Sequence, residues 1–210
     1  MRLKYVVLFS FFCVAAPLFG LSATGKEPAT ADSLDDQRDR VIFFIEAAPF
    51  FSSVNDFGNG GYTASLGVGY QFGRRFSLTL NVHSGREEIP QTPTRPIGGT
   101  LDIGGAGLEG TLFFGRGERI RPFASVGLDL YTLLTGDLQG IGYNGNGFSV
   151  GVGVQAEFLD YISANLIARY TRARFYSPVG DDPFRQQFEP FHNKWLGGTL
   201  RIAFYPSILK

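Results

Sequence analysis

The sequence predicts an all-β fold: an eight-stranded antiparallel up-and-down transmembrane β-barrel, with short periplasmic turns at one end and long extracellular loops at the other. Three observations carry this. From residue 41 onward, apolar and small polar residues alternate with period two, the repeat of an extended strand. The connections between the alternating segments are short and long in turn around the whole chain. The apolar parity is nearly free of charge, and charged residues make up only 18% of the chain, against roughly 25% in an average soluble domain.

The chain opens with "MRLKYVVLFSFFCVAAPLFGLSATGKEPATA", in which Arg2 and Lys4 precede an apolar run and then small residues. That order is the order of a secretory signal, and the run is short for a helix of about 20 residues that would span a bilayer. Residues 1–23 are therefore expected to be a signal peptide, with cleavage somewhere in 22–31. Cys13, the chain's one cysteine, lacks the Leu and small residues expected before a lipidated Cys. The mature chain is then free of cysteine, which excludes disulfides and thiol catalysis. Residues 24–40 are polar and aperiodic and read as a flexible periplasmic lead-in, 41–205 as the barrel, and 206–210 as a C-terminal tail.

The strands follow in order. The first, 41–51, carries one acid, Glu46, on its inward parity. In the second, 62–72, Tyr62, Ala64, Leu66, Val68, Tyr70 and Phe72 alternate with Thr63, Ser65, Gly67, Gly69 and Gln71. A "GRR" turn leads to the third, 76–84, where Phe76, Leu78, Leu80 and Val82 oppose Ser77, Thr79, Asn81 and His83. The fourth, 100–114, is somewhat longer, and "GRGER" joins it to the fifth, 120–131. The sixth, 147–158, sets Phe148, Val150, Val152 and Val154 against Ser149, Gly151, Gly153 and Gln155, and "LDY" joins it to the seventh, 162–172. The eighth, 195–205, closes the barrel. The other four connections are long and polar, the last being "ARFYSPVGDDPFRQQFEPFHNK".

Which parity faces inward follows from composition. The polar parity is mostly Gly, Ser, Thr, Asn and Gln, which suits a narrow interior better than a wetted soluble surface. One Arg or Lys facing lipid at mid-height costs about 2–4 kcal/mol, so a charge-free apolar face suits hydrocarbon. Aromatics gather near strand ends, at Phe50, Phe51, Phe72, Phe76, Phe113, Phe114, Phe148, Phe158, Tyr161, Tyr170, Trp195, Phe204 and Tyr205, and are expected to form two interfacial girdles. Eight strands leave a lumen that side chains fill. Formal net charge is zero, with 19 basic and 19 acidic residues, so nothing points to nucleic acid.

Residues 41–205 resemble the small eight-stranded outer-membrane barrels that include the OmpA transmembrane domain, OmpX and Ail. The resemblance rests on "GYTASLGVGYQFGRRFSLTLNV", "RIRPFASVGLDLY", "FSVGVGVQAEFLDYISANLIARYTR" and "WLGGTLRIAFY". The last piece is similar to the C-terminal signal read by the barrel assembly machinery, although "PSILK" follows where such barrels often end on Phe. The resemblance implies the outer membrane of a Gram-negative-type bacterium, a monomer, and contact with outer-membrane lipid and lipopolysaccharide.

Two candidate sites emerge. By parity Glu46, Glu109, Glu157, Arg121, Arg169 and Arg201 point into the lumen, with Asp129 toward its outer end. Buried charges must be paired, so Glu46 and Arg201, at similar heights on strands that meet at closure, are expected to bond, with Arg169 and a second Glu nearby. The fourth outer loop interleaves aromatics with charges, and Phe184, Arg185, Phe188 and Phe191 are the candidate surface-binding residues. His83 beside Ser84 and near Glu87 and Glu88 is a weak hydrolytic constellation, because adjacent strand residues face opposite ways and the two Glu fall in a loop. His192 is expected in a loop without a nucleophile. No catalytic, cofactor or metal site is expected. The expected function is non-enzymatic: a filled barrel for envelope integrity and surface-loop contact with a host or environmental ligand. The alternatives are a narrow pore or an OmpW-like transporter of small or apolar solutes, and a lipid A-modifying barrel enzyme.

Overall fold

A computed structural model describes residues 39–53, 60–89, 99–115, 119–135, 142–179 and 191–206; the expected signal peptide and nearly all of the lead-in lie outside these. Eight strands follow in chain order: β1 (Arg40–Ser52), β2 (Gly60–Phe72), β3 (Phe76–Ile89), β4 (Gly99–Phe113), β5 (Ile120–Thr135), β6 (Gly142–Leu159), β7 (Ile162–Val179) and β8 (Phe191–Phe204). Each pairs antiparallel with the next, and β8 returns to β1, giving a closed barrel without a free edge.

The two short connections that are fully described are tight turns. Residues 73–75 join β2 to β3, and Gly73 adopts φ of 56°, a left-handed conformation that favours glycine. Its N–H donates to the Asp39 carboxylate at 2.9 Å, which ties the start of the barrel to this turn. Residues 160–161 join β6 to β7. At the opposite end the strands run further than expected: β3 to Ile89, β5 to Thr135, β6 from Gly142, β7 to Val179 and β8 from Phe191. Polar residues there continue the ladder because pairing of backbone groups needs no apolar face once the wall has left hydrocarbon. Glu87, Glu88 and His192, expected in loops, therefore lie on β3 and β8.

The register traces the lipid-facing band. Starting at Phe43 and following Cα partners outward from strand to strand, one rung reads Phe43, Val68, Leu80, Leu108, Leu128, Phe148, Arg172, Lys194. The circuit reaches β8 at Lys194, whereas Phe43 itself pairs across the seam with Phe204. This stagger is the shear of a tilted barrel, so the rung climbs from one end of the wall to the other. Its side chains are apolar through Phe148 and cationic after it. The next rung up reads Ile45, Leu66, Val82, Ala106, Leu130, Asn146, Arg174, His192, and turns polar one strand earlier. The edge of hydrocarbon can thus be drawn residue by residue around the long-loop end.

The interior is layered. At the short-turn end Phe113, Phe123 and Ile167 form one buried cluster, and Ile42, Phe44, Ala203 and Tyr205 another. At the long-loop end Phe50, Ile103, Tyr131, Leu133, Ala173, Phe175 and Trp195 pack together. The girdle reading of the aromatics needs correction here. Phe50, Phe113, Trp195 and Tyr205 are buried in the lumen, because they stand on the inward parity of their strands. Phe72, Phe76, Phe114, Phe158, Tyr161 and Phe204 do face outward near the short-turn end, whereas Phe148 and Tyr170 face outward from within β6 and β7.

Candidate functional site

The lumen charges are positioned by four strands. Glu46 on β1 and Arg201 on β8 are direct Cα partners at the seam, so alternation aims both side chains inward at one height. Arg169 comes from β7 and Glu109 from β4 across the lumen. Arg201 donates from Nε and Nη2 to Glu46 Oε2 at 2.8 and 2.7 Å, and from Nη1 to Glu109 Oε1 at 2.7 Å. Arg169 donates from Nη1 to Glu46 Oε1 at 2.8 Å and from Nη2 to Glu109 Oε2 at 2.5 Å. Each carboxylate thereby bridges both guanidinium groups, and the four charges form a closed, electrically neutral ring. Charge-assisted bonds that use both oxygens offset the desolvation that makes isolated buried ions so costly. The Arg201 guanidinium also lies 4.2 Å from the centre of the Phe44 ring.

Arg121 and Glu157, grouped with these four by parity, stand apart at the short-turn end. Arg121 Nη2 meets Glu157 Oε1 at 2.6 Å and Gln155 Oε1 at 2.5 Å, and Nη1 donates to the Arg74 carbonyl at 2.9 Å. Gln155 passes the network on, donating to Tyr205 Oη at 2.8 Å and Ser163 Oγ at 3.1 Å. Gln155 and Ser163 are not among the candidate site residues of the sequence, and Tyr205 was expected in the girdle, although the inward parity of all three is visible there.

A third network closes the long-loop end. The buried carboxylate of Glu87 accepts from Trp195 Nε1 at 3.3 Å and Asn193 Nδ2 at 3.4 Å, and Ser52 Oγ donates to Asn193 Oδ1 at 3.0 Å. The Trp195 ring packs edge-on against Tyr131, with centroids 4.9 Å apart, and lies 5.8 Å from Phe50. Between this lid and the charge ring is a cavity of about 70 Å³ lined by Glu46, His83, Asp129, Tyr131, Arg169 and Trp195. Asp129 reaches it from β5 and accepts from Ser149 Oγ at 3.4 Å.

The hydrolytic constellation is not assembled. His83 points into the lumen, where its ring lies 5.0 Å from that of Tyr131 and Nδ1 is 3.2 Å from Asn81 Oδ1. Ser84 is exposed on the outer face of the same strand. His192 is exposed on β8. Of the candidate loop residues, Phe184, Arg185 and Phe188 lie outside the described residues, and Phe191 is the first residue of β8.

A closed antiparallel wall with a charge-free outer belt and a salt-bridged interior defines a transmembrane barrel of the outer-membrane type. Residues 29–189 match the family model described as the outer membrane protein beta-barrel domain, and the chain belongs to that family. Its place is accordingly the outer membrane, with the short turns periplasmic and the long loops extracellular. Among solved structures the chain is similar to the Neisserial surface protein A, at 16% identity and a TM-score of 0.55, covering 79% of this chain and 99% of that one. The N-terminal β-barrel domain of Pseudomonas aeruginosa OprF is 18% identical over 80% of this chain and 100% of that one, with a TM-score of 0.46. Ail, the attachment invasion locus protein of Yersinia pestis, solved in complex with the heparin analogue sucrose octasulfate, is 10% identical over 79% of this chain and 99% of that one, with a TM-score of 0.46. Comparison with curated proteins finds no match. At these identities the likeness is one of fold.

Proposed function

We propose that this protein is a non-enzymatic barrel with a filled lumen, which reinforces the outer membrane and presents its extracellular loops for contact with a host or environmental surface. The observation that carries the reading is the ring of Glu46, Glu109, Arg169 and Arg201, which spans the lumen from the seam to β4. Aromatic packing at Phe113 and Phe123 lies on its periplasmic side, and packing at Phe50, Tyr131, Phe175 and Trp195 on its extracellular side. An ion in transit would have to displace paired charges and two hydrophobic layers.

The strands leave chemistry to the loops. A rigid wall whose inner face is consumed by its own packing leaves soluble partners its extracellular end. Phe184, Arg185 and Phe188 are of the residue types that dominate binding hot spots. Purified protein in planar bilayers is expected to give no steady, uniform conductance; open channels of one size in the unmodified protein would overturn the filled-lumen reading. Deletion of residues 177–190 is expected to reduce attachment of expressing cells to host surfaces, and unchanged attachment and serum survival would remove the surface-contact reading.

A further inference from the structure

The outer face of β7 and β8 carries cations where a membrane barrel of this composition is otherwise apolar or paired. Arg172 and Lys194 are Cα partners across β7 and β8, and one rung higher Arg174 partners His192. All four side chains are exposed on the outward parity. Residues directly opposite on one face of a sheet hold their Cβ atoms about 4.5–5.5 Å apart, and like charges so placed repel. Among the described residues, no carboxylate forms a salt bridge with Arg172, Arg174 or Lys194. The contrast lies on the same rim. Arg86 on β3 stands opposite Asp102 on β4 in the same register relation and is bonded to it at 2.8 Å. Among the described residues, the fold thus pairs a rim cation on one side and gathers cations without a carboxylate partner on the other.

The height of the cluster is fixed by the climbing rungs. Arg172 follows Phe148, the last apolar residue of its rung, and Arg174 follows Asn146, which itself follows Leu130. The cations therefore stand one step above hydrocarbon, at the level of lipid headgroups. A groove of about 450 Å³ runs beside Arg172, Arg174 and His192, with Leu128, Leu130 and Phe148 as its apolar lining; Asn146 and Asp129, whose side chain belongs to the lumen parity, also border it. An apolar floor under a cationic brow fits a molecule with acyl chains below and an anion above. Guanidinium groups hold phosphate oxygens by two parallel N–H bonds, and an ammonium adds a point charge.

We infer that Arg172, Arg174, Lys194 and His192 form a binding site on the barrel's outer wall for the phosphate of an outer-leaflet glycolipid, the lipid A moiety of lipopolysaccharide, with its acyl chains along Leu128, Leu130 and Phe148. A bound phosphate relieves the cross-strand repulsion as well as anchoring the lipid, so the bare wall is the strained state.

The test uses the folded protein in phosphatidylcholine nanodiscs doped with phosphorylated lipid A, and reads the lipid retained by native mass spectrometry. Retention is expected to fall by roughly fivefold for each cation removed, at about 1 kcal/mol per basic side chain near an anionic surface, in Arg172→Gln, Lys194→Gln and the Arg172→Gln, Arg174→Gln, Lys194→Gln triple variant. Arg86→Gln is expected to change nothing, dephosphorylated lipid A to be held no better than phosphatidylcholine, and millimolar inorganic phosphate to leave the lipid bound. The single variants keep the test valid if the triple variant fails to fold, which heat-modifiable gel mobility reveals. Equal retention by the single variants, equal loss in Arg86→Gln, or equal binding of the dephosphorylated lipid would overturn the site. Displacement by inorganic phosphate alone would assign the cations to a soluble anion instead and equally overturn the lipid assignment.

Discussion

Glu46 and Arg201 face each other across the line where the first strand meets the last, with Arg201 Nη2 2.7 Å from Glu46 Oε2. The same carboxylate holds Arg169 through its other oxygen at 2.8 Å. Glu46→Ala therefore leaves two buried guanidinium groups short of acceptors. The expected cost is about 3–5 kcal/mol, the usual penalty for breaking a buried ion pair from one side. Equilibrium unfolding in urea from lipid vesicles measures it. Glu46→Gln, which keeps one acceptor oxygen, is expected to lose less, and a loss under 1 kcal/mol for the alanine variant would show that the ring bears little of the stability.

The slanting rungs predict a graded response to charge on the outer wall. Leu80 and Asn146 both face outward, but Leu80 stands in the hydrocarbon stretch of its rung and Asn146 at the polar turn of the next. Leu80→Arg is expected to destabilise by about 2–4 kcal/mol and Asn146→Arg by about 0–1 kcal/mol, following the depth dependence of lipid-facing arginine. Folding titrations of the two variants in the same vesicles decide it. Equal costs would refute the waterline drawn from the register.

Trp195 is the chain's single tryptophan, so its fluorescence reports one place. With 6% of its surface exposed, inside the barrel wall, it is shielded from lipid as well as from water. Blue-shifted emission with weak quenching by brominated acyl chains is the expected result; strong quenching would return Trp195 to the interfacial girdle. Trp195→Ala is expected to cost about 3–5 kcal/mol, the range for emptying a buried aromatic.

Phe44 and Gly67 are cross-strand partners on the lumen face, and the Phe44 ring, together with the Leu80 carbonyl, occupies the space a Cβ at Gly67 would need. The ring fills the gap and meets Arg201 there. Gly67→Val forces the ring off the glycine and disturbs that contact, and the expected loss is about 1–3 kcal/mol, the cost of overpacking a filled interior. The double variant Gly67→Val, Phe44→Ala is expected to recover part of it, since the clash with the ring is then absent and only that with the Leu80 carbonyl remains; equal instability of single and double variants would place the effect elsewhere.

Strand number, turn sites and the inward aim of Glu46, Glu109, Arg169 and Arg201 were legible in the sequence because period-two alternation fixes the face of every residue once one face is assigned. Extracellular strand ends were not, since around Glu87, Asn144 and His192 the outer face is polar and the inner face mixes Glu87 and Asn193 with Leu133 and Phe175, so alternation loses its contrast. Nor could parity separate Arg121 and Glu157 from the central ring. That division depends on height, which is set by shear and is a property of pairing between strands rather than of any one strand. The inward aromatics were misplaced for a related reason. Trp195 and Tyr205 lie close to the ends of the alternating segment 195–205, where an aromatic fits an interfacial girdle by position and the lumen by parity.

The ring of four charges draws on β1, β4, β7 and β8, and two of those strands become neighbours only when the chain's two ends meet. Until then Glu46 and Arg201 are separated by nearly the whole length of the barrel sequence and their charges are unanswered. A seam joined one residue out of step would turn Arg201 toward lipid and Leu200 toward the lumen, at the cost of a charge in hydrocarbon. The ring therefore ties the two ends of the chain to one registration: the seam that sets Glu46 opposite Arg201 is the one that leaves all four charges answered.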